Sequence, residues 1–131
     1  MADRVSKVSY AYVLVPHRAG QGTRLLAALR KAHVNLLAYS GFPAEGGQAQ
    51  LDFVTDDMAG LKRLARKQGW TLRGPKRGFL VAGKDRVGAV HRQLQRLADA
   101  GVNVTAAAAV CAGKGRYGMI LWVPPASYSR A

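Results

Sequence analysis

Apolar positions along the chain switch between two periods, and the switches mark its elements. Residues 5–15 (VSKVSYAYVLV) are dense in β-branched and aromatic side chains and stop at Pro16, which predicts a strand. The loop His17-Arg18-Ala19-Gly20-Gln21-Gly22 follows, and then Leu25, Leu26, Leu29 and Ala32 recur at helical spacing. The loop therefore faces the free N-terminal amides of an amphipathic helix. Residues 35–42 and 48–55 read as a hairpin across Glu45-Gly46-Gly47; Ala49, Leu51 and Phe53 alternate with Gln50 and Asp52, as in a strand with one buried face. Asp56-Asp57 caps a second helix, residues 58–68, closed by Gly69. Its inner stripe is Met58, Leu61, Leu64 and Ala65, and its outer face carries Lys62, Arg63, Arg66 and Lys67. Residues 70–73 form a short fourth strand, with Gly74-Pro75 as a junction. This order predicts an α+β, ferredoxin-like βαββαβ unit: a four-stranded antiparallel sheet with both helices on one face.

The pattern then begins again. A constant shift of 68 positions pairs Val13 with Val81, Arg18 with Arg86, Gly20 with Gly88, Leu26 with Leu94, Leu29 with Leu97, Val34 with Val102 and Asn35 with Asn103. Two copies of one supersecondary unit follow, residues 1–75 and 76–131. In the second, residues 78–83 are a strand, Asp85-Arg86-Val87-Gly88 repeats the loop, and Val90, Leu94, Leu97 and Ala98 mark the helix. His33 stands where the second copy has Gly101, which suits a capping or surface residue. The second copy is truncated, because after Val123 come Pro124-Pro125 and no counterpart of the second helix or fourth strand. Its strands 103–111 and 117–123 are apolar on both faces, so both faces are expected to be covered. With Ile120 and Trp122 otherwise in water and a sheet edge unpaired, a homodimer that buries Trp122 is expected.

Composition adds bounds. The chain has 131 residues, 49% hydrophobic and 21% charged, an ordinary globular balance. No apolar run reaches membrane-spanning length and residues 1–6 lack the apolar core of a secretory signal, so a cytoplasmic protein with no membrane partner is expected. Cys111 is the one cysteine, which excludes an internal disulfide and a cysteine-cluster metal site. The formal charge is +13, with +8 on residues 1–77 and +5 on the rest, a surface that attracts polyanions in general. There is no paired acid, no Cys/His couple and no phosphate-loop pattern, and His17, His33 and His91 fall at separate positions. No catalytic residue, metal site or cofactor is expected.

The two copies resemble ACT domains. The family pattern is an apolar strand, a short loop of the type D-R-x-G, an amphipathic helix, and G-[IV]-N-[IV] opening the second strand. Asp85-Arg86-Val87-Gly88 and Gly101-Val102-Asn103-Val104 match it, while His17-Arg18-Ala19-Gly20 and His33-Val34-Asn35-Leu36 match with histidine replacing the acid and the glycine. The resemblance implies two ACT-like repeats, the second truncated, in a non-catalytic regulatory module that binds a small amino acid at interfaces between paired ACT domains. It implies a metabolic enzyme or regulator as partner. By carry-over, Arg18, Ala19, Gly20 and Gln21 with Asn35 would line one site, and Arg86, Val87, Gly88 and Ala89 with Asn103 the other. Loop amides would hold a carboxylate and the asparagine amide a polar group.

Two rivals stand beside this reading. One is an RNA- or other nucleic-acid-binding ferredoxin-like protein, for which the charge is right and Tyr10 and Tyr12 lie on one strand face as stacking aromatics would. The characteristic K/R-G-F/Y-G/A-F-V-x-F/Y run is missing, and the basic residues concentrate on helix 58–68, behind the sheet. The other is a purely structural assembly module.

Overall fold

The computed structural model describes residues 3–131. Its elements run β1 (Arg4–Pro16), α1 (Gln21–Lys31), β2 (Ala38–Ala44), β3 (Gln48–Thr55), α2 (Met58–Gln68), β4 (Arg73–Lys84), α3 (Ala89–Asp99), β5 (Ala106–Gly113), β6 (Arg116–Trp122) and a 3-10 turn at Pro125–Ser127. The fold is α+β with antiparallel strand pairs. The chain divides into two compact units: Ser9–Lys76, and Arg77–Ala131 together with residues 3–8.

In the first unit the strands are ordered β2-β3-β1-β4. Ala11 lies opposite Phe53 and Val13 opposite Leu51, so these four side chains share one face. They form a single core with Leu25 and Leu29 of α1 and Leu61 and Leu64 of α2, which puts both helices on that face. Each large side chain buried there stabilises the fold by roughly 1.5–3 kcal/mol. Asp57 caps α2 by accepting a hydrogen bond at Oδ1 from the Gly60 N–H at 2.9 Å, and Gly69 ends the helix at a φ of 74°. Lys62, Arg63, Arg66 and Lys67 are exposed, a solvated helix face.

One boundary differs from the pattern. Residues 70–73 and 78–83 do not make two strands, because β4 runs unbroken from Arg73 through the expected junction at Gly74-Pro75. Trp70 and Leu72 lie before it and pack their side chains onto the first core, so burial rather than strand pairing holds them.

The second unit takes the order β5-β6-β4-β1, with residues 4–8 of β1 in the place of the missing fourth strand. The unpaired edge expected beside β4 is therefore filled by the protein's own first strand. Phe79, Val81, Met119 and Leu121 build the core with Ala89 of α3 and with Tyr128. Tyr128 stacks on Phe79 with ring centroids 4.8 Å apart, and the Arg77 guanidinium lies 4.1 Å from the Tyr128 ring. The tail thus covers part of the face that a second helix covers in the first unit.

Ile120 and Trp122 are each 8% exposed within a single chain. Gly78 lies against the indole, where a Cβ would sit 3.4 Å from the Trp122 ring. Their burial does not require a second copy, contrary to the sequence-based expectation. Coverage of both faces holds for β6 but not for β5, which is exposed along its whole length. Five of its eight residues are alanine, and so small a side chain forfeits little by staying in water.

The helix ends explain His33. It adopts a φ of 58° where Gly101 adopts 72°. Both follow the same closure: Val34 N–H donates to the Leu29 carbonyl at 3.0 Å, and Val102 N–H to the Leu97 carbonyl at 2.9 Å. A left-handed histidine is strained and a glycine is not, so His33→Gly is expected to raise stability by about 0.5–1 kcal/mol. Urea unfolding checks this, with Gly101→His expected to move the midpoint the other way.

Candidate functional site

The two strand-loop-helix segments match down to individual hydrogen bonds. His17 N–H donates to the Gly47 carbonyl at 2.9 Å and Asp85 N–H to the Gly115 carbonyl at 2.8 Å, partners that are themselves 68 positions apart. Arg24 N–H to Gly20 O repeats as Arg92 N–H to Gly88 O, and Leu37 N–H to Val54 O as Thr105 N–H to Trp122 O. Gly20 and Gly88 start α1 and α3 at φ values of 88° and 84°. No side chain caps either helix, so the first-turn amides and the positive end of each dipole face the loop.

A cavity lies beside each loop. The first, of about 310 Å³, has Ala49 and Leu51 of β3 and Tyr39 and Phe42 of β2 as walls, with His17, Arg18 and Gln21 at the loop side. The Tyr39 hydroxyl lies over two glycines, since a Cβ on Gly22 or Gly41 would come within 3.3 or 3.2 Å of it. Partial burial pushes the Tyr39 phenol above its ordinary pKa, which keeps it a neutral donor.

The second cavity, about 250 Å³, is lined by Asp85, Arg86, His91, Val110, Cys111 and Tyr117 together with the helix start. Cys111 Sγ donates to Asp85 Oδ2 at 2.7 Å, and this bond to the carboxylate holds the thiol above its usual pKa. The Tyr117 hydroxyl donates to Asp3 Oδ2 at 3.0 Å, and Gln93 Nε2 donates to the same oxygen. Burial, then this bond to Asp3, raises the Tyr117 pKa. Gln93 is buried on α3 at the position that Leu25 holds on α1, which is how a polar side chain comes to sit inside the second unit.

Three solved structures share this fold. A protein of Bacteroides thetaiotaomicron, BT0572, superposes with a TM-score of 0.75 at 14% identity, over 96% of this chain and 84% of its own. The ligand-free regulatory subunit of aspartate kinase from Thermus thermophilus gives 0.64 at 14% identity, over 97% and 89%. The corresponding subunit from Thermus flavus gives 0.59 at 16% identity, over 98% and 90%. The chain has an ACT-like fold. No family model matches it and no curated protein matches it by sequence.

Within this ACT-like chain the ten residues singled out from the sequence do not gather equally. Arg18 and Gln21 line the first cavity, and Arg86, Gly88 and Ala89 the second. Ala19 and Gly20 are exposed in the loop without lining the cavity, and Val87 projects fully into solvent. Asn35 and Asn103 are exposed beyond the C-terminal ends of α1 and α3. Each helix has eleven residues and is roughly 16 Å long, so a ligand at the loop of one unit does not reach the asparagine of that unit. Asn35 instead borders a separate hollow with Leu26, Arg30 and His33, and its carbonyl accepts from the Thr55 hydroxyl at 2.8 Å. Tyr39, Phe42, Cys111 and Tyr117 escaped the sequence reading. The one mark that the sequence carries is the constant shift, because Phe42 and Val110, like Pro43 and Cys111, are also 68 apart; which of them line a cavity depends on strand pairing.

The loop glycines are expected to matter through the backbone. A Cβ on Gly88 meets nothing within 4 Å, so Gly88→Val is penalised for its positive φ alone, by about 1–3 kcal/mol. Gly22 has an ordinary helical backbone, and Gly22→Val needs only a small shift of the Tyr39 hydroxyl. Unfolding midpoints should fall further for Gly88→Val; equal losses would count against the loop geometry.

Proposed function

We propose that the chain is a non-catalytic regulatory module that binds a small amino acid at its loop cavities and acts on a metabolic enzyme or regulator. The observation that carries this is the duplicated cavity beside an uncapped helix start, with an arginine at the same loop position in both copies. A carboxylate suits the amides and Arg18 or Arg86. In the second cavity Asp85 adds the opposite charge, which suits an ammonium group, whereas the first offers His17 there. The second cavity is thus the better match for a zwitterion. The regulatory role of the two Thermus subunits agrees with this reading. Calorimetric titration tests it: Arg86→Gln and Asp85→Asn should each weaken the bound amino acid roughly tenfold or more. Affinity unchanged in both would move the site elsewhere.

Copies of the chain are further proposed to pair through β5. Its outer side has no strand neighbour among the described residues, and Val110 is 68% exposed. Light scattering should show a dimer at micromolar concentration that Val110→Lys dissociates; a monomeric parent chain would refute the pairing. The face carrying Tyr10 and Tyr12 does not favour nucleic acid. Both side chains are half-buried, and the Lys76 ammonium lies 5.1 Å from the centre of the Tyr12 ring, where a base would stack. Among the described residues no helix is long and apolar enough to cross a membrane.

A further inference from the structure

Among the described residues, no helix of the second unit takes the place that α2 takes in the first. In the first unit, Leu61 and Leu64 of α2 join a core that includes Ala11, Val13, Leu25, Leu29 and Phe53. A shift of 68 carries those five positions to Phe79, Val81, Gln93, Leu97 and Leu121. All five of these line one cavity of about 340 Å³ in the second unit. The floor that receives α2 in one copy is therefore present in the other without a helix on it, and Tyr128 covers only part of it by stacking on Phe79.

The rest of the lining has a definite charge. Arg96 of α3 and Arg130 of the tail both border the cavity, with Ala131 beside Arg130, and among the described residues no aspartate or glutamate lines it. Gln93 reaches into this region but already donates to Asp3, so it does not neutralise or occupy the arginines. Arg96, Leu97 and Ala100 lie on one helix face with Gln93, at spacings of three, four and seven. Both arginine side chains are exposed and neither makes an ion pair with a described residue. An apolar floor beside two unpaired guanidinium groups selects an amphipathic anion: hydrocarbon for the floor, and a planar carboxylate for the arginine forks. The volume is at the small end of ligand cavities, which fits a short acyl chain or a single ring.

We propose that this cavity binds a monocarboxylic acid with a hydrocarbon body, lying over Phe79, Val81 and Leu121 with its carboxylate at Arg96 and Arg130. It is a second ligand site, separate from the loop cavities. The probe is octanoate, titrated calorimetrically into the full chain, with 1-octanol as the tail without the charge and acetate as the charge without the tail. Saturable one-to-one binding of octanoate is expected, with 1-octanol at least tenfold weaker and acetate giving no measurable heat. Arg96→Gln and Arg130→Gln should each weaken octanoate roughly tenfold, and Ala100→Trp, which fills the cavity from the exposed end of α3, should abolish it. Arg86→Gln, in the second loop cavity, should leave octanoate binding unchanged, so failure of this site and failure of the amino-acid site are told apart. No saturable binding of octanoate, or equal affinity in the two arginine variants and in Ala100→Trp, would overturn the proposal.

Discussion

Replacing Phe53 with alanine is expected to destabilise the protein by about 3–5 kcal/mol, the largest effect of any single substitution in the first unit. Phe53 has no solvent exposure and sits opposite Ala11 on β1 and Tyr39 on β2. Its ring stacks with Tyr39 at 6.0 Å, and it belongs to the core shared with α1 and α2. Both helices rest on it, and the small Ala11 opposite cannot move in to close the void. Urea unfolding should show a midpoint well below the parent, with a thermal midpoint lower by about 10–20 °C. Phe53→Leu, which keeps most of the volume, should cost less than half as much. A loss below about 1 kcal/mol for Phe53→Ala would mean the two helices do not share one core.

Tyr128→Ala is expected to cost about 2–4 kcal/mol, although only three residues of the sequence follow Tyr128. The residue is 9% exposed, and its ring is stacked on Phe79 and flanked by the Arg77 guanidinium. A tail residue with no structural duty would be lost at a cost within about 0.5 kcal/mol. Tyr128→Phe preserves the stack and should stay near the parent, so the pair of variants isolates the ring from the hydroxyl. A neutral Tyr128→Ala would show that the tail does not hold the face that α2 covers in the first unit.

Local features of the fold were readable because each leaves a mark in a short window. The bounds of α2 follow from Asp57, the stripe Leu61, Leu64 and Ala65, and Gly69. The loops follow from Gly20 and Gly88, and the repeat from one constant shift. Features that depend on distant chain segments were not readable. Residues 4–8 and 9–16 form one uninterrupted strand pattern, yet the first part belongs to the second unit, because only there does β4 lack a neighbour. The tail gave no periodic signal, since Tyr128 acts as a single ring and not as part of a helix. β5 looked like a buried strand by hydropathy, but alanine scores as apolar while offering little area to bury. For the candidate site, Arg18, Gln21, Arg86, Gly88 and Ala89 were legible from the loop motif. Tyr39, Phe42 and Cys111 were not, since they reach the cavities through strand pairing. The asparagines shared the motif but lie a helix length from the loop of their own unit.

Amino-acid binding at the loop cavities is tested most directly by a thermal-shift screen of the full chain against the twenty amino acids, repeated with Arg86→Gln. Ligand at 100 times its dissociation constant adds about 2.7 kcal/mol of stability, a rise of several degrees for a chain of this size. At least one amino acid is expected to give that rise with the parent protein and to lose most of it with Arg86→Gln. A melting temperature unmoved by all twenty would contradict amino-acid sensing.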